Sequence, residues 1–200
     1  MKVGVLAYQG GVYEHKFMLE KAMEKQKVSG KVVLVKKIHE LKDVDGIVIP
    51  GGESTTIGKL AKRMGVLNAL REYIREGLPA FGTCAGAIML AKNVRDRVVG
   101  VIEQPLLRVM DIEVVRNYYG RQRESFEIDL KVEKLGDKPF RGVFIRAPAI
   151  VNVWNDTILL AKLDNVVVAA LQKHMLATTF HPELTNDTRF HELFISIIKR

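Results

Sequence analysis

Short apolar runs that end on glycine open this chain and leave it few ways to fold. "KVGVLAY" (2–8) runs into "QGG", "DGIVIPGG" (45–52) ends on two glycines, and "LPAFG" (78–82) runs into "GTCAG". "KVVLVKK" (31–37) is a further strand between them. Residues 12–27 have helical composition, with apolar Phe17, Leu19, Ala22 and Met23, and residues 54–76 read as helix broken at Gly65. Another helix begins near 85. The strand runs are continuously apolar rather than alternating, as in strands buried on both faces. Strand alternating with helix then predicts an α/β fold with a doubly wound, mostly parallel central sheet flanked by helices. Ligands of such sheets bind outside the carboxyl ends of the strands. The loops at 9–11, 51–54 and 82–86 are therefore expected to share one rim.

The second half changes character. "VVGVI", "MDIEVV", "SFEIDLKV", "GVFIRAP", "TILLAKL", "NVVVAAL" and "HMLATTF" are short strand candidates with little helix between them. They predict an antiparallel or mixed extension of the sheet. Residues 187–199 close the chain as a helix, with Phe190, Leu193, Phe194, Ile197 and Ile198 on one face. No linker, repeat or low-complexity tract interrupts the chain. Its 200 residues, 48% hydrophobic, suit a single domain spanning 1–200. One cysteine excludes an internal disulfide and a cysteine-based zinc site. No secretory leader and no apolar run near the ~20 residues of a membrane span is seen, so a reducing cytoplasm is the expected setting. The formal net charge of +8 is spread in short spots such as Lys36-Lys37 and Arg121-Gln122-Arg123. Dispersed charge reads as solvated surface, with neither nucleic acid nor membrane as partner.

The lone cysteine, Cys84, sits in "GTCAG", between a strand and a helix. G-x-C-x-G has the form of a nucleophile elbow, in which a sharp strand-to-helix turn pushes the central side chain out at the rim. A helix start behind the sulfur favours thiolate, and the Ala85 amide would face a developing oxyanion. The plainer reading is a buried cysteine in a tight turn. Of the five histidines, His15 and His191 fall in helical stretches, His39 in a polar segment and His174 in a turn. His181 ends the apolar run "MLATTF" and begins "FHPE". Pro182 biases His181 toward extended backbone, which puts Glu183 on the same side of the chain, where it could orient the imidazole; the plainer reading is a strand-end histidine beside an unrelated surface glutamate. "PGGEST" (50–55) offers bare amides at a strand end, with Ser54 or Thr55 as helix cap. It is not a phosphate loop: the glycine spacing is wrong, and Leu60 follows Lys59 where Ser or Thr is required. "RNYYGRQRESFE" (116–127) reads as a binding loop or as a solvated turn around Gly120. Arg146 in "FIRAP" could clamp a carboxylate or pair with a surface acid.

Together, "PGGEST", "GTCAG", "RNYYGRQRESFE", "FIRAP" and "FHPE", in this order, resemble the glutaminase subunits of pyridoxal 5′-phosphate synthases. These are class I, triad-type glutamine amidotransferases of flavodoxin-like fold. "GTCAG" and "FHPE" mark the broad class, whereas "GRQRESFE" and "FIRAP" point to the narrower family. The resemblance implies hydrolysis of L-glutamine to glutamate and ammonia through a γ-glutamyl thioester. Cys84 would be the nucleophile, His181 the base and Glu183 its orienter, with the amides of Gly52 and Ala85 as oxyanion hole. Gly52, Glu53, Ser54, Arg116, Ile145 and Arg146 would bind glutamine. No metal and no cofactor is implied. The implied partner is a (β/α)8-barrel synthase subunit in a ring-shaped hetero-oligomer that receives the ammonia. Such glutaminases are weakly active until docked, and the Gln9-Gly10-Gly11 loop is the expected docking sensor.

Overall fold

Two faces of one sheet are covered because the strands carry large apolar side chains on both. Ile47 and Ile49 pack to one side and Val48 to the other, and Ala80 and Phe81 divide in the same way, all of them fully buried. Each such aliphatic or aromatic side chain contributes on the order of 1.5–3 kcal/mol on burial. The computed structural model describes residues 1–120 and 125–200. Arg121, Gln122, Arg123 and Glu124, the centre of the 116–127 motif, lie outside the described residues.

The first half runs β1 (Lys2–Leu6), α1 (Val12–Lys25), β2 (Lys31–Val35), α2 (Ile38–Leu41), β3 (Gly46–Ile49), α3 (Ser54–Arg63), α4 (Val66–Arg75), β4 (Ala80–Thr83) and α5 (Ala85–Leu90). The break between α3 and α4 falls at Gly65, whose φ of +72° is one that side chains resist. There follow β5 (Ala91–Asp96), β6 (Gly100–Val101), β7 (Met110–Arg116), β8 (Ser125–Leu130), β9 (Phe140–Ile145), β10 (Ala149–Val153), β11 (Ile158–Leu163), β12 (Val166–Gln172), β13 (Met175–Thr178) and α6 (Arg189–Ile198).

Among the described residues eleven strands form one mixed sheet, ordered β2-β1-β3-β4-β13-β12-β10-β7-β5-β6, with β11 paired to β12. The run β2-β1-β3-β4-β13 is parallel throughout. This is the doubly wound order with its crossover at β1/β3, where ligands collect. Strands β10, β11 and β12 extend it antiparallel. Helices α1 and α6 cover one face, and α3, α4 and α5 the other. The β8–β9 hairpin stands apart as a small second sheet.

The α/β architecture expected from the sequence is present, with differences in detail. "HMLATTF" is among the runs read as an antiparallel or mixed extension, and it is antiparallel to β12. Its strand β13 also completes the parallel set, pairing Met175–Thr178 with Ala80–Thr83, because its four buried residues fit between two sheet neighbours. Strands β5 and β10 were not anticipated; Lys92, Asn93 and Arg95 make β5 look like surface loop. "VVGVI" contributes only Gly100–Val101, and its Val98, Val99 and Val101 are exposed. Phe17 lies on the solvent side of α1, 61% exposed, while Met18 beside it is buried.

Candidate active site

Four strand ends meet on one rim, those of β1, β3, β4 and β13. The elbow comes first. Cys84 joins β4 to α5 with φ +48° and ψ −102°, a strained setting for a side-chain-bearing residue. Its N–H donates to the Thr178 carbonyl at 2.8 Å, which ties the turn to β13. The flanking glycines are required by space. A methyl on Gly82 would lie 2.5 Å from the Gly86 carbonyl, and one on Gly86 would lie 1.9 Å from the Ile49 oxygen. Cys84 is buried at 7% exposure, and Ala85 opens the helix, so its N–H lies among those with no intrahelical acceptor.

His181 follows β13. Its N–H donates to the Val143 carbonyl of β9 at 2.8 Å, so the hairpin fixes the backbone from which the imidazole projects. Residues Pro182–Leu184 form a 3-10 turn rather than the extended segment expected, since proline suits the first position of a helical turn. The turn still brings the pair together: His181 Nδ1 and Glu183 Oε1 are 2.8 Å apart. Burial alone would lower the His181 pKa, but hydrogen bonds to Cys84 and Glu183 and their charges push it up to about 10. Burial opposes charge on Glu183 too, yet His15 and the hydrogen bond from His181 hold its carboxyl down at about 2.

Gly51 packs against this pair. A methyl there would lie 2.3 Å from His181 Cε1 and 3.3 Å from Cys84 Cβ. The Gly51 N–H donates to Thr83 Oγ1 at 3.0 Å, and its carbonyl accepts from the Gly11 N–H at 3.3 Å. Gln9 Oε1 accepts from the Glu53 N–H at 2.9 Å. The 9–11 loop therefore clasps both sides of Gly52. It fits so closely that a methyl on Gly10 would lie 1.5 Å from the Gly51 oxygen, and one on Gly11 would lie 2.9 Å from Glu183 Oε1.

A second cluster lies beside the first. Arg116, at the end of β7, donates through Nη1 to Gln104 Oε1 at 2.8 Å, and its Nη2 lies 3.4 Å from Glu53 Oε1. Glu53, not Ser54 or Thr55, caps α3, accepting the Thr55 and Thr56 N–H groups at 3.1 and 2.7 Å. The helix starts at Ser54, whose buried hydroxyl turns inward to Gln104, leaving the preceding carboxylate to serve the free amides. These hydrogen bonds outweigh partial burial and lower the Glu53 pKa. Ile145 ends β9 and Arg146 follows it, beyond the Val143 anchor. Both are exposed, and Arg146 has φ +42° and no ion pair among the described residues. The set thus divides: Cys84, His181, Glu183 and Gly51 meet directly, Gly52 packs on Gln9 and Gly10, Arg116 and Glu53 meet each other, and among the described residues no bond joins Ile145 or Arg146 to these groups. Among the described residues no group of three or more His, Cys, Asp or Glu side chains is arranged to hold a metal.

The model of the SNO glutamine amidotransferase family matches residues 5–200. The chain belongs to the SNO glutamine amidotransferase family. Curated relatives include "Pyridoxal 5′-phosphate synthase subunit PdxT" of Staphylothermus marinus and of Aeropyrum pernix, each 59% identical over the full length of both chains. The protein of the same description from Sulfolobus acidocaldarius is 56% identical, again over the full length of both. A solved glutamine amidotransferase superimposes with a TM-score of 0.86 at 45% identity, covering 99% of each chain. A glutamine amidotransferase of Thermotoga maritima, 15% identical, has a TM-score of 0.60 over 100% of this chain and 84% of its own, a likeness of fold.

Within this amidotransferase, several site residues went unread in the sequence. Thr83 holds the Gly51 amide, and Gln104 links Ser54, Thr55 and Arg116. His15 and His191, set aside as helical, are fully buried behind Glu183. A signal for them existed: each lies on the apolar face of its helix, His15 between Val12 and Leu19 and His191 between Phe190 and Phe194, where a solvated imidazole has no place.

Proposed function

We propose that this chain is the glutaminase subunit of a pyridoxal 5′-phosphate synthase, with Cys84, His181 and Glu183 as its triad. The observation that carries the reading is the 2.8 Å His181–Glu183 pair facing a cysteine held at φ +48° on a strand-to-helix elbow. The relatives named for that synthase, similar over their whole length, support the choice of substrate.

The chemistry follows from the geometry. His181 takes the Cys84 thiol proton, and its raised pKa favours the imidazolium that results. The Cys84 sulfur adds to the side-chain amide carbon of glutamine, and the oxygen becomes an oxyanion facing the amides of Gly52 and Ala85. As the C–N bond breaks, His181 passes its proton to the departing nitrogen and ammonia leaves. Water then adds to the γ-glutamyl thioester while His181 takes its proton and returns it to sulfur as the C–S bond breaks, releasing glutamate. Glu183 holds His181 in the tautomer and orientation this needs. Arg116 and Arg146 bind the α-carboxylate end of glutamine, with Ile145 alongside. Gly52, Glu53 and Ser54 line the amide through their backbone, since the Ser54 hydroxyl is turned inward.

Ammonia passes to a (β/α)8-barrel synthase subunit in a ring-shaped assembly, in the reducing cytoplasm that a free catalytic thiol requires. Docking acts through the Gln9-Gly10-Gly11 loop. The 3.3 Å Gly11–Gly51 bond is long, and its loss frees the Gly51–Gly52 peptide to turn its N–H toward the oxyanion. The test is glutamate release by wild type and Cys84→Ala, with and without the barrel subunit. Wild type is expected to be slow alone and strongly stimulated, and Cys84→Ala inactive in both conditions. Full activity of the isolated chain, or activity in Cys84→Ala, contradicts the reading.

A further inference from the structure

We propose that His15, backed by His191, is a positioning residue that holds the triad carboxylate and the elbow in register. The inference rests on the triad reading above and adds to it a pair of buried imidazoles that the mechanism so far leaves without a role.

Glu183 turns one oxygen, Oε1, to His181. The other, Oε2, is buried and has no well-aligned hydrogen bond among the described residues. It faces His15 Nε2 at 3.3 Å. The same nitrogen lies 2.9 Å from Thr83 Oγ1, the last residue of β4 before the nucleophile. Thr83 Oγ1 in turn accepts the Gly51 N–H at 3.0 Å. One ring thus touches the triad acid, the strand that presents Cys84 and the peptide expected to bind the oxyanion. Behind it, His15 Nδ1 and His191 Nε2 are 3.0 Å apart, while His191 Nδ1 has no partner among the described residues.

This arrangement selects one proton placement. If His15 carried its proton on Nδ1, its bare Nε2 lone pair would face a carboxylate, and His191 would hold an N–H buried with no acceptor. If His191 Nε2–H donates to His15 Nδ1, then His15 Nε2–H is shared between Thr83 Oγ1 and Glu183 Oε2, leaving the rotatable Thr83 hydroxyl proton and the lone pair of His191 Nδ1 outside this chain of bonds. The carboxylate decides between the two: an N–H facing Glu183 Oε2 at 3.3 Å is attracted, and a lone pair there is repelled. Burial lowers the pKa of both rings, so each is neutral near pH 7 and His15 acts as a donor. Edge contacts with Phe81 fix both rings, and His15 is held further by its place in the first turn of α1. A donor on Oε2 fixes the carboxylate plane, and so the direction in which Oε1 meets His181.

The test uses the full chain with the barrel subunit at saturation. His15→Leu keeps volume and removes the donor; His15→Gln places an amide N–H near the Nε2 position. His15→Leu is expected to lower kcat about tenfold or more, as loss of a ligand-orienting partner does elsewhere, with KM for glutamine moving less than about twofold. His15→Gln is expected to recover most of that kcat. Equal kcat losses in both variants, or unchanged kcat in His15→Leu, overturn the proposal. Cys84→Ala run alongside separates the two readings: if it is active, the triad itself is wrong, and if it is dead while His15→Leu is normal, only His15 is misassigned. Should His15→Leu not fold, ¹⁵N-histidine spectra of the wild-type chain decide. His15 is expected to be neutral with its proton on Nε2, in a signal that shifts in Glu183→Gln; a proton on Nδ1 overturns the proposal.

Discussion

Gly51→Ala is the sharpest perturbation available, because the structure gives its size. The added methyl would lie 2.3 Å from His181 Cε1, 2.9 Å from His181 Nδ1 and 3.3 Å from Cys84 Cβ. The Gly51 backbone has little freedom to back away, since its N–H is held by Thr83 and its carbonyl by Gly11. The imidazole is the group that must move, by about 1 Å to reach ordinary contact near 3.4 Å. That retreat is along the side bonded to Glu183, and it disturbs the 2.8 Å Nδ1–Oε1 bond as well as the approach to sulfur. Misplacement of a reacting group by about 1 Å costs on the order of 10²-fold in rate, or about 2.7 kcal/mol of barrier. The assay is steady-state glutamate release at saturating glutamine and barrel subunit, with thermal unfolding in parallel. A fall in kcat of about 10²-fold with a folded, cooperative chain is expected. A folded Gly51→Ala chain within about threefold of wild-type kcat would refute the claim that His181 works from the position seen here.

Further outcomes follow from the neighbouring residues. Arg116→Lys loses the fork that spans Gln104 and Glu53; KM for glutamine should rise about tenfold with kcat little changed, and a glutamine saturation curve with unaltered KM removes Arg116 from the binding set. Gln9→Ala releases the Glu53 N–H; the ratio of stimulated to unstimulated glutamate release should fall, and an unchanged ratio rules out the loop as sensor. The fold should be acid-labile. Burial holds His191 down at about 3 and lowers His15 as well, against 6.5 for a free imidazole. Groups depressed in the fold stabilise it above the unfolded pKa, so stability declines as pH falls below about 6.5, by up to about 1.4 kcal/mol per pH unit for each histidine. Urea midpoints should therefore be lower at pH 5 than at pH 7, and equal midpoints would mean that the two rings are not neutral in the fold.

The parallel half was legible because burial on both faces writes itself as continuous apolar runs, as in "GIVI" and "AFGT". The elbow was legible for a related reason: two close backbone approaches force glycine at 82 and 86, leaving Cys84 framed between them. His181 and Glu183 could be paired only once the elbow cysteine called for a base, although the turn between them was read as extended. What escaped was whatever depends on long-range pairing. Strand β13 looks like its antiparallel neighbours, and only its partner β4, far away in sequence, makes it parallel. Thr83, His15 and His191 come from three elements and meet only across the folded core. Helix periodicity carried the signal that His15 and His191 are buried, which went unread, but it held nothing to say that His15 faces Glu183. Glu53 took the capping role expected of Ser54 or Thr55 because the helix begins at Ser54, one residue earlier than a Ser54 cap requires.

The account turns on covalent catalysis at Cys84. Acid-quenching the wild-type chain during turnover of glutamine with the barrel subunit, then measuring intact and peptide masses, tests it most directly. A glutamyl group should appear on the peptide containing Cys84, be absent from Cys84→Ala, and disappear once glutamine is exhausted. Sustained glutamate release with no adduct on Cys84, or an adduct on another residue, would contradict it.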